Sequence, residues 1–244
     1  MNNTCGYIDI HTHILPGVDD GAESMEETLR MLRLASEQGI RTIIATPHYA
    51  VGAKNTSVDL LRELRAQVQL EASKINPELK IMLGNEIYYS DSILDSLKAK
   101  EALTLADSKY VLVEFSTRES YNLMYKGLGT LIRAGYIPII AHIERYHCLE
   151  KKDYQIADFV ELGCFIQMNC DSLIGGIFDS TVKYNRKLVN KGLVHFLGSD
   201  CHDSKNRVPR MQAAVEILQK RCEEGLLNRL CLTNPVSILE NTYI

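Results

Sequence analysis

The chain has 244 residues, 45% of them hydrophobic and 24% charged, and a net charge of −4. This is an ordinary globular composition, and its mild acidity offers no basic surface of the kind nonspecific nucleic-acid binding requires. No apolar run reaches the about 18 residues of a membrane span, so no direct membrane insertion is expected, and the polar opening MNNTCGY lacks a secretory apolar core.

Seven short β-branched runs recur along the chain: YIDI, RTIIAT, LKIMLG, YVLVEF, YIPIIA, CFIQMN and VHFLGS. Amphipathic stretches alternate with them, which predicts βα units around a parallel sheet. The first helix shows the pattern. Ser24 with Glu27 makes a capping-box pair, Met25, Leu29, Leu32 and Ala35 supply one apolar face, and Gly39 stops the helix before Ile40. Strands this continuously apolar suit a sheet buried on both faces, as in a barrel. No repeat, low-complexity tract or linker interrupts the chain, so residues 1–244 are expected to form a single α/β domain.

Ligand-type residues fall at regular places on this map. His11 and His13 end the first strand, with Asp19 and Asp20 in the loop beyond. His48 follows the second, Glu86 the third, Glu114 closes the fourth, His142 the fifth, and Asp200 and His202 follow the seventh. The expectation is that all lie at C-terminal strand ends, where α/β barrels build active sites. A single His or Glu there is usually a cap or a solvated side chain. H-x-H carries more weight, because residues i and i+2 of a strand share a face and two imidazoles then converge. The joint pattern across six strands reads as a metal cluster. Five histidines and four carboxylates, counting one of Asp19 and Asp20, exceed the about three protein ligands of a single catalytic zinc, so two or three ions are implied. A nitrogen and oxygen set without thiolate suits Mn²⁺, Fe²⁺ or Zn²⁺. Such sites activate water and clamp both oxygens of a displacement at phosphorus.

The seven cysteines include no C-x-x-C pair, and reduced thiols in a cytoplasm fit them best. Cys201 to Arg207 formally matches C-x5-R, the nucleophile loop of cysteine-dependent tyrosine phosphatases. That loop normally has glycine in its phosphate cradle, and here there is none. Cys201 also alternates with Asp200 and His202, which on extended backbone points it away from them. No nucleotide-binding glycine motif and no G-x-S-x-G elbow occurs.

The set IDIHTHILPGVDDG, GIRTIIATPHY, GNEI, VEF, PIIAHIERY and GSDCHD resembles the PHP (polymerase and histidinol phosphatase) superfamily, and within it the bacterial CpsB/YwqE-type tyrosine-protein phosphatases. The resemblance implies a distorted (β/α)7-type barrel holding three ions, usually manganese. By motif, His11, His13, Glu86 and Asp200 would hold one ion, and Glu86 would bridge to a second held with Glu114 and His142. Asp20, His48 and His202 would hold the third, and Arg145 and Arg207 would bind substrate phosphate. The implied substrate is the phosphotyrosine-bearing tail of a bacterial tyrosine kinase in capsule or exopolysaccharide regulation. The rival readings are a histidinol phosphatase-like small-molecule enzyme, a nuclease, a non-catalytic PHP scaffold and an amidohydrolase. The scaffold would have lost ligands, and the amidohydrolase pattern carries a bridging lysine after the fourth strand, where this chain has Glu114.

Overall fold

Each of the seven apolar runs forms a strand, and two of them resume after a break. The computed structural model, which describes residues 6–176, 178–223 and 225–244, begins with β1 (Tyr7–Thr12), β2 (Ile40–Ala45) and β3 (His48–Ala50). Next come β4 (Lys80–Leu83), β5 (Glu86–Tyr88) and β6 (Tyr110–Glu114), then β7 (Ile137–Ile140), β8 (Phe165–Asn169) and β9 (Phe196–Gly198). Here β3 prolongs β2 beyond Thr46-Pro47, and β5 prolongs β4 beyond Gly84-Asn85. A Cβ on Gly84 would meet the Leu105 side chain at 2.7 Å, so this break needs glycine. Asn85 joins the two breaks: its amide donates to Pro47 O at 2.8 Å and its oxygen accepts from Leu103 N at 2.8 Å.

The breaks divide the pairing into a β1-β2-β4 sheet and a β3-β5-β6-β7-β8-β9 sheet, parallel throughout. The last strand then returns to the first. Asp200 N donates to His11 O at 2.8 Å, His13 N donates to Cys201 O at 2.9 Å, and Thr12 bridges Cys201 in parallel. The result is an arrangement of seven parallel staves in chain order, the α/β architecture expected from the sequence.

Alternate strand positions face inward. Ile8, Ile10, Ile44, Tyr110, Leu112, Ile139, Phe165 and Phe196 fill the lower interior, joined by Ile238 of the C-terminal helix. Burying each of the aliphatic ones contributes about 1.5–3 kcal/mol. The opposite faces carry Ile43, Ile81, Val111, Val113 and Ile140 into the layer beneath the helices. Both Ile10 and the next residue, His11, turn inward, because the register of β1 against β2 shifts between Asp9 and Thr12. Such a bulge re-aims side chains without ending the strand.

Helix α1 (Met25–Glu37) keeps only half of its expected capping box. Ser24 Oγ accepts from Glu27 N at 3.3 Å, but the Glu27 carboxylate turns away to Arg30 and to Ser204 N, which it binds at 2.6 Å. Its buried stripe is Met31, Leu32 and Ala35, with Met25 and Leu29 only partly covered. Gly39 ends it with φ +84°, a conformation natural to glycine.

Candidate metal centre

All nine ligand candidates meet at the C-terminal mouth of this arrangement. His11 and His13 come from the bulged end of β1 and Asp20 from the loop after it. Glu114 closes β6, His142 sits just past β7, and Asp200 and His202 lie just past β9. His48 and Glu86 differ from expectation: they open the short strands β3 and β5, paired in register with each other, rather than trailing the strands before them. Starting a new strand points each side chain inward instead of leaving it in a loop.

Glu86 is the hub. Its Oε2 lies 3.1 Å from His11 Nε2, 3.2 Å from His13 Nε2 and 3.1 Å from His48 Nδ1. Its Oε1 lies 2.8 Å from His142 Nε2, which is also 3.4 Å from Glu114 Oε1. Asp200 Oδ1 faces the same two imidazoles of the H-x-H pair, at 3.5 and 3.4 Å. On the outer side Asp20 Oδ1 lies 3.2 Å from His48 Nε2 and 3.4 Å from His202 Nε2. Potential donor atoms therefore cluster in three overlapping groups: His11, His13, Glu86 and Asp200; His13, Asp20, His48 and His202; and His48, Glu86 and Glu114.

This donor set fits divalent cations. Burial works to raise the Glu86 carboxyl, but His11, His13 and His142 outweigh it and hold Glu86 well below the usual range. Asp200 is held down likewise, burial being offset by His11, His13 and Arg145. Burial works to lower His142, yet Glu114 and Glu86 push it up to about 9; burial works to lower His13 too, but Asp19, Asp200 and Glu86 hold it well above its ordinary value. The buried carboxylates thus favour positive charge where the ring nitrogens converge, which is what a divalent ion supplies. His202, by contrast, is lowered to about 4 by burial and by the neighbouring His13. Two ligand candidates, His142 at φ 30° and Asp200 at φ 51°, hold left-handed backbone, a strain of about 1–3 kcal/mol each of the sort found at functional sites.

The two arginines reach the same point from different elements. Arg145 ends the turn Ile143–Arg145 and Arg207 sits in the loop after β9. Arg145 Nη2 lies 2.5 Å and Arg207 Nη2 2.9 Å from Asp200 Oδ2, and both side chains remain partly exposed to the mouth. The Arg207 loop is tied down by Asp203, whose carboxylate accepts from the backbone N of Lys205, Asn206 and Arg207, and by Glu27 on Ser204.

A second layer of side chains escaped the sequence reading. Gln167 Oε1 sits 3.2 Å from His11 Nδ1 and accepts from His142 N at 2.7 Å. Asn169 donates to Asp200 Oδ2 at 2.8 Å, and Asp9 accepts from Ser199 N at 2.9 Å. Asp9 is fully buried, and burial pushes its carboxyl up to about 6. The signal was available: Gln167 and Asn169 alternate on one face of the otherwise apolar FIQMN. Asp19 and Asp20 also separate. Asp19 Oδ2 faces His13 Nδ1 and accepts from His48 N, while Asp20 faces the ring nitrogens of His48 and His202.

The C-x5-R match carries no nucleophile. Cys201 is 3% exposed, packs in the apolar layer, and burial pushes its thiol far above the ordinary value. Cys164, Cys170 and Cys231 are buried too, Cys148 and Cys222 are half-buried, and none of the six described cysteines is in a disulfide; Cys5 lies outside the described residues. Among the described residues no helix is long and apolar enough to cross a membrane.

Residues 7–240 match the family model for capsular polysaccharide synthesis, CpsB/CapC. The chain is 36% identical over 242 residues to the tyrosine-protein phosphatase CpsB of Streptococcus pneumoniae, covering 97% of this chain and 100% of that one. It is 37% identical over 218 residues to the tyrosine-protein phosphatase YwqE of Bacillus subtilis, covering 87% and 84%. A solved structure from work on YwqE of Bacillus subtilis and CpsB of Streptococcus pneumoniae, described as metal-dependent tyrosine phosphatases, superposes with a TM-score of 0.89 at 34% identity over 97% of this chain and 96% of that one.

Proposed function

The chain belongs to the CpsB/CapC family, and on that premise we propose that it is a metal-dependent protein-tyrosine phosphatase. Its substrate is phosphotyrosine on a bacterial tyrosine kinase that serves capsule or exopolysaccharide synthesis, and it works in the cytoplasm as one catalytic domain. The observation that carries the reading is Glu86, a fully buried carboxylate facing four imidazoles at 2.8 to 3.2 Å. A buried carboxylate so surrounded needs positive charge beside it, which a bound cation supplies while leaving the imidazoles neutral.

The cluster would take three ions, with Mn²⁺ the working metal and Fe²⁺ or Zn²⁺ able to replace it. His11, His13, Glu86 and Asp200 would hold the first, Glu86 and Glu114 with His142 the second, although His48 is the imidazole whose donor atom groups with those two carboxylates, and Asp20, His48 and His202 the third. When bound, the ions supply Lewis acidity for water activation and for the charge of the phosphoryl group. The chain's own work is positional. Gln167 and Asp19 fix the orientation of His11 and His13 from behind, so their Nε2 atoms stay aimed at the centre. Arg145 and Arg207 offer planar forks of N–H donors to phosphoryl oxygens, and Asp200 Oδ2 keeps both guanidiniums at the mouth. Their charge offsets the negative charge that builds on those oxygens during transfer. A phenolate leaves with a pKa of about 10, so an aryl ester needs little protonation of its leaving oxygen.

A comparison of kcat/KM among a phosphotyrosyl peptide, the same peptide bearing phosphoserine, and histidinol phosphate tests this. A preference of at least about tenfold for phosphotyrosine, roughly 1.4 kcal/mol, is expected. Equal rates, or a preference for the small alkyl phosphate, would overturn the tyrosine-phosphatase assignment.

A further inference from the structure

Tyr88 and Tyr89 are adjacent at the end of the β5 stave, and alternation sends them to opposite sides. Tyr89 turns outward, stacks on Phe115 with ring centroids 4.9 Å apart, and packs against the apolar layer under the helices. Tyr88 shares its face with Glu86, the hub of the metal centre, and stays 42% exposed. Strand pairing fixes its neighbours. Tyr88 is in register with Glu114 on one side and with Ala50 on the other, one layer above the row of His48, Glu86 and Leu112. That upper layer faces the site, because Glu114 Oε1 reaches His142 Nε2 at 3.4 Å.

A tyrosine ring left open on the inner rim leaves unburied an apolar surface that its neighbour buries. Ala50 beside it is too small to cover it. The spacing matters as well. Two residues along a strand advance about 6.6 Å, so Tyr88 stands about that far outward from Glu86 along the stave. An ester whose phosphate sat at the level of Glu86 would carry its phenyl ring outward by about one such step, towards the level of Tyr88. A phosphoserine places only a methylene and backbone there.

We propose that Tyr88 is the residue that recognises the aryl group of the substrate: its ring forms a wall of the mouth and packs against the phenyl ring of phosphotyrosine, using the space that Ala50 leaves open. The inference rests on the phosphotyrosine reading of this site and names the side chain that makes it selective. An aromatic pair is favourable beyond its buried area, enough to change selectivity several-fold without touching the chemistry. The contribution is to substrate binding, so it appears in KM more than in kcat.

The test measures kcat and KM for one peptide sequence carrying phosphotyrosine or phosphoserine, with metal content determined on each protein. The proteins are wild type, Tyr88→Ala, Tyr88→Leu and Tyr88→Phe. The ratio of kcat/KM for phosphotyrosyl over phosphoseryl peptide is expected to fall about fivefold in Tyr88→Ala and Tyr88→Leu, chiefly through KM, and to be kept in Tyr88→Phe. The leucine variant keeps the bulk of the rim, so it answers the question if the alanine variant loses metal. An unchanged ratio in metal-loaded Tyr88→Leu, with wild type still preferring phosphotyrosine, overturns the role of Tyr88 alone. A fall in Tyr88→Phe equal to that in Tyr88→Leu overturns the ring-packing account. A wild type without preference for phosphotyrosine overturns the phosphatase reading, and this inference with it.

Discussion

Asp19 Oδ2 lies 2.8 Å from His13 Nδ1, so the first aspartate of the pair Asp19-Asp20 stands behind the candidate ligands and the second among them. The Asp19 carboxylate also accepts from Gly21 N and His48 N, fixing the loop that presents Asp20.

The two aspartates are therefore expected to fail differently. Asp19→Asn should weaken metal affinity by about 10–100-fold while leaving the number of ions at saturation unchanged, as loss of an outer partner does. Asp20→Ala should lower that number. Calorimetric metal titration with elemental analysis checks both, and an Asp19→Asn protein that binds metal as wild type does would return Asp19 to the status of a loop residue.

Cys201 gives a second contrast. With its thiol in the apolar layer and Asp200 aimed at the centre, Cys201→Ser should keep most of its turnover, whereas Asp200→Ala should lose nearly all of it. The serine hydroxyl takes a site built for a thiol, so thermal stability should fall by about 1–3 kcal/mol. A Cys201→Ser protein that is folded and metal-loaded but inactive would revive the cysteine mechanism.

His195 lies outside the cluster and predicts an acid-side stability slope. Burial lowers it from 6.5 to about 4, and its Nδ1 accepts from Ile166 N at 3.2 Å, which requires the neutral ring. As pH falls below 6.5 the unfolded chain takes up the proton first, so this contribution is full above that pH and is lost toward pH 4. The loss amounts to at most about 3 kcal/mol. In metal-free protein, which removes the pH dependence of metal binding, His195→Gln should show a smaller stability difference between pH 7 and pH 5 by urea unfolding. Equal differences in the two proteins would refute the assignment.

Strand existence was plain in the sequence, because runs such as YVLVEF and RTIIAT have no other stable use in a chain with this spacing of helices. What the sequence hid was the resumption of two staves. Three residues, His48–Ala50 or Glu86–Tyr88, are too few to show alternation, and Pro47 and Gly84 read as stops. The convergence of the candidate ligands was legible because H-x-H and D-x-H are dense local signals. Their supports left a fainter signal, the polar alternation of Gln167 and Asn169 in FIQMN, whose role becomes definite only when β8 is placed beside β7 and β9. The division of labour between Asp19 and Asp20 likewise depends on how the loop folds back onto His13. The capping box failed for a tertiary reason: Ser204, far along the chain, takes the Glu27 carboxylate that would have closed it.

In the proposed mechanism a cluster of divalent ions held by these nine side chains performs phosphotyrosine hydrolysis. The most direct measurement is hydrolysis of a phosphotyrosyl peptide by the same protein as isolated, after chelation to a metal content verified as zero, and after return of Mn²⁺ or Mg²⁺. Activity should vanish with the metal and return with Mn²⁺ better than with Mg²⁺, because the imidazole-rich donor set favours the softer ion. Full activity in protein verified as metal-free would contradict the account.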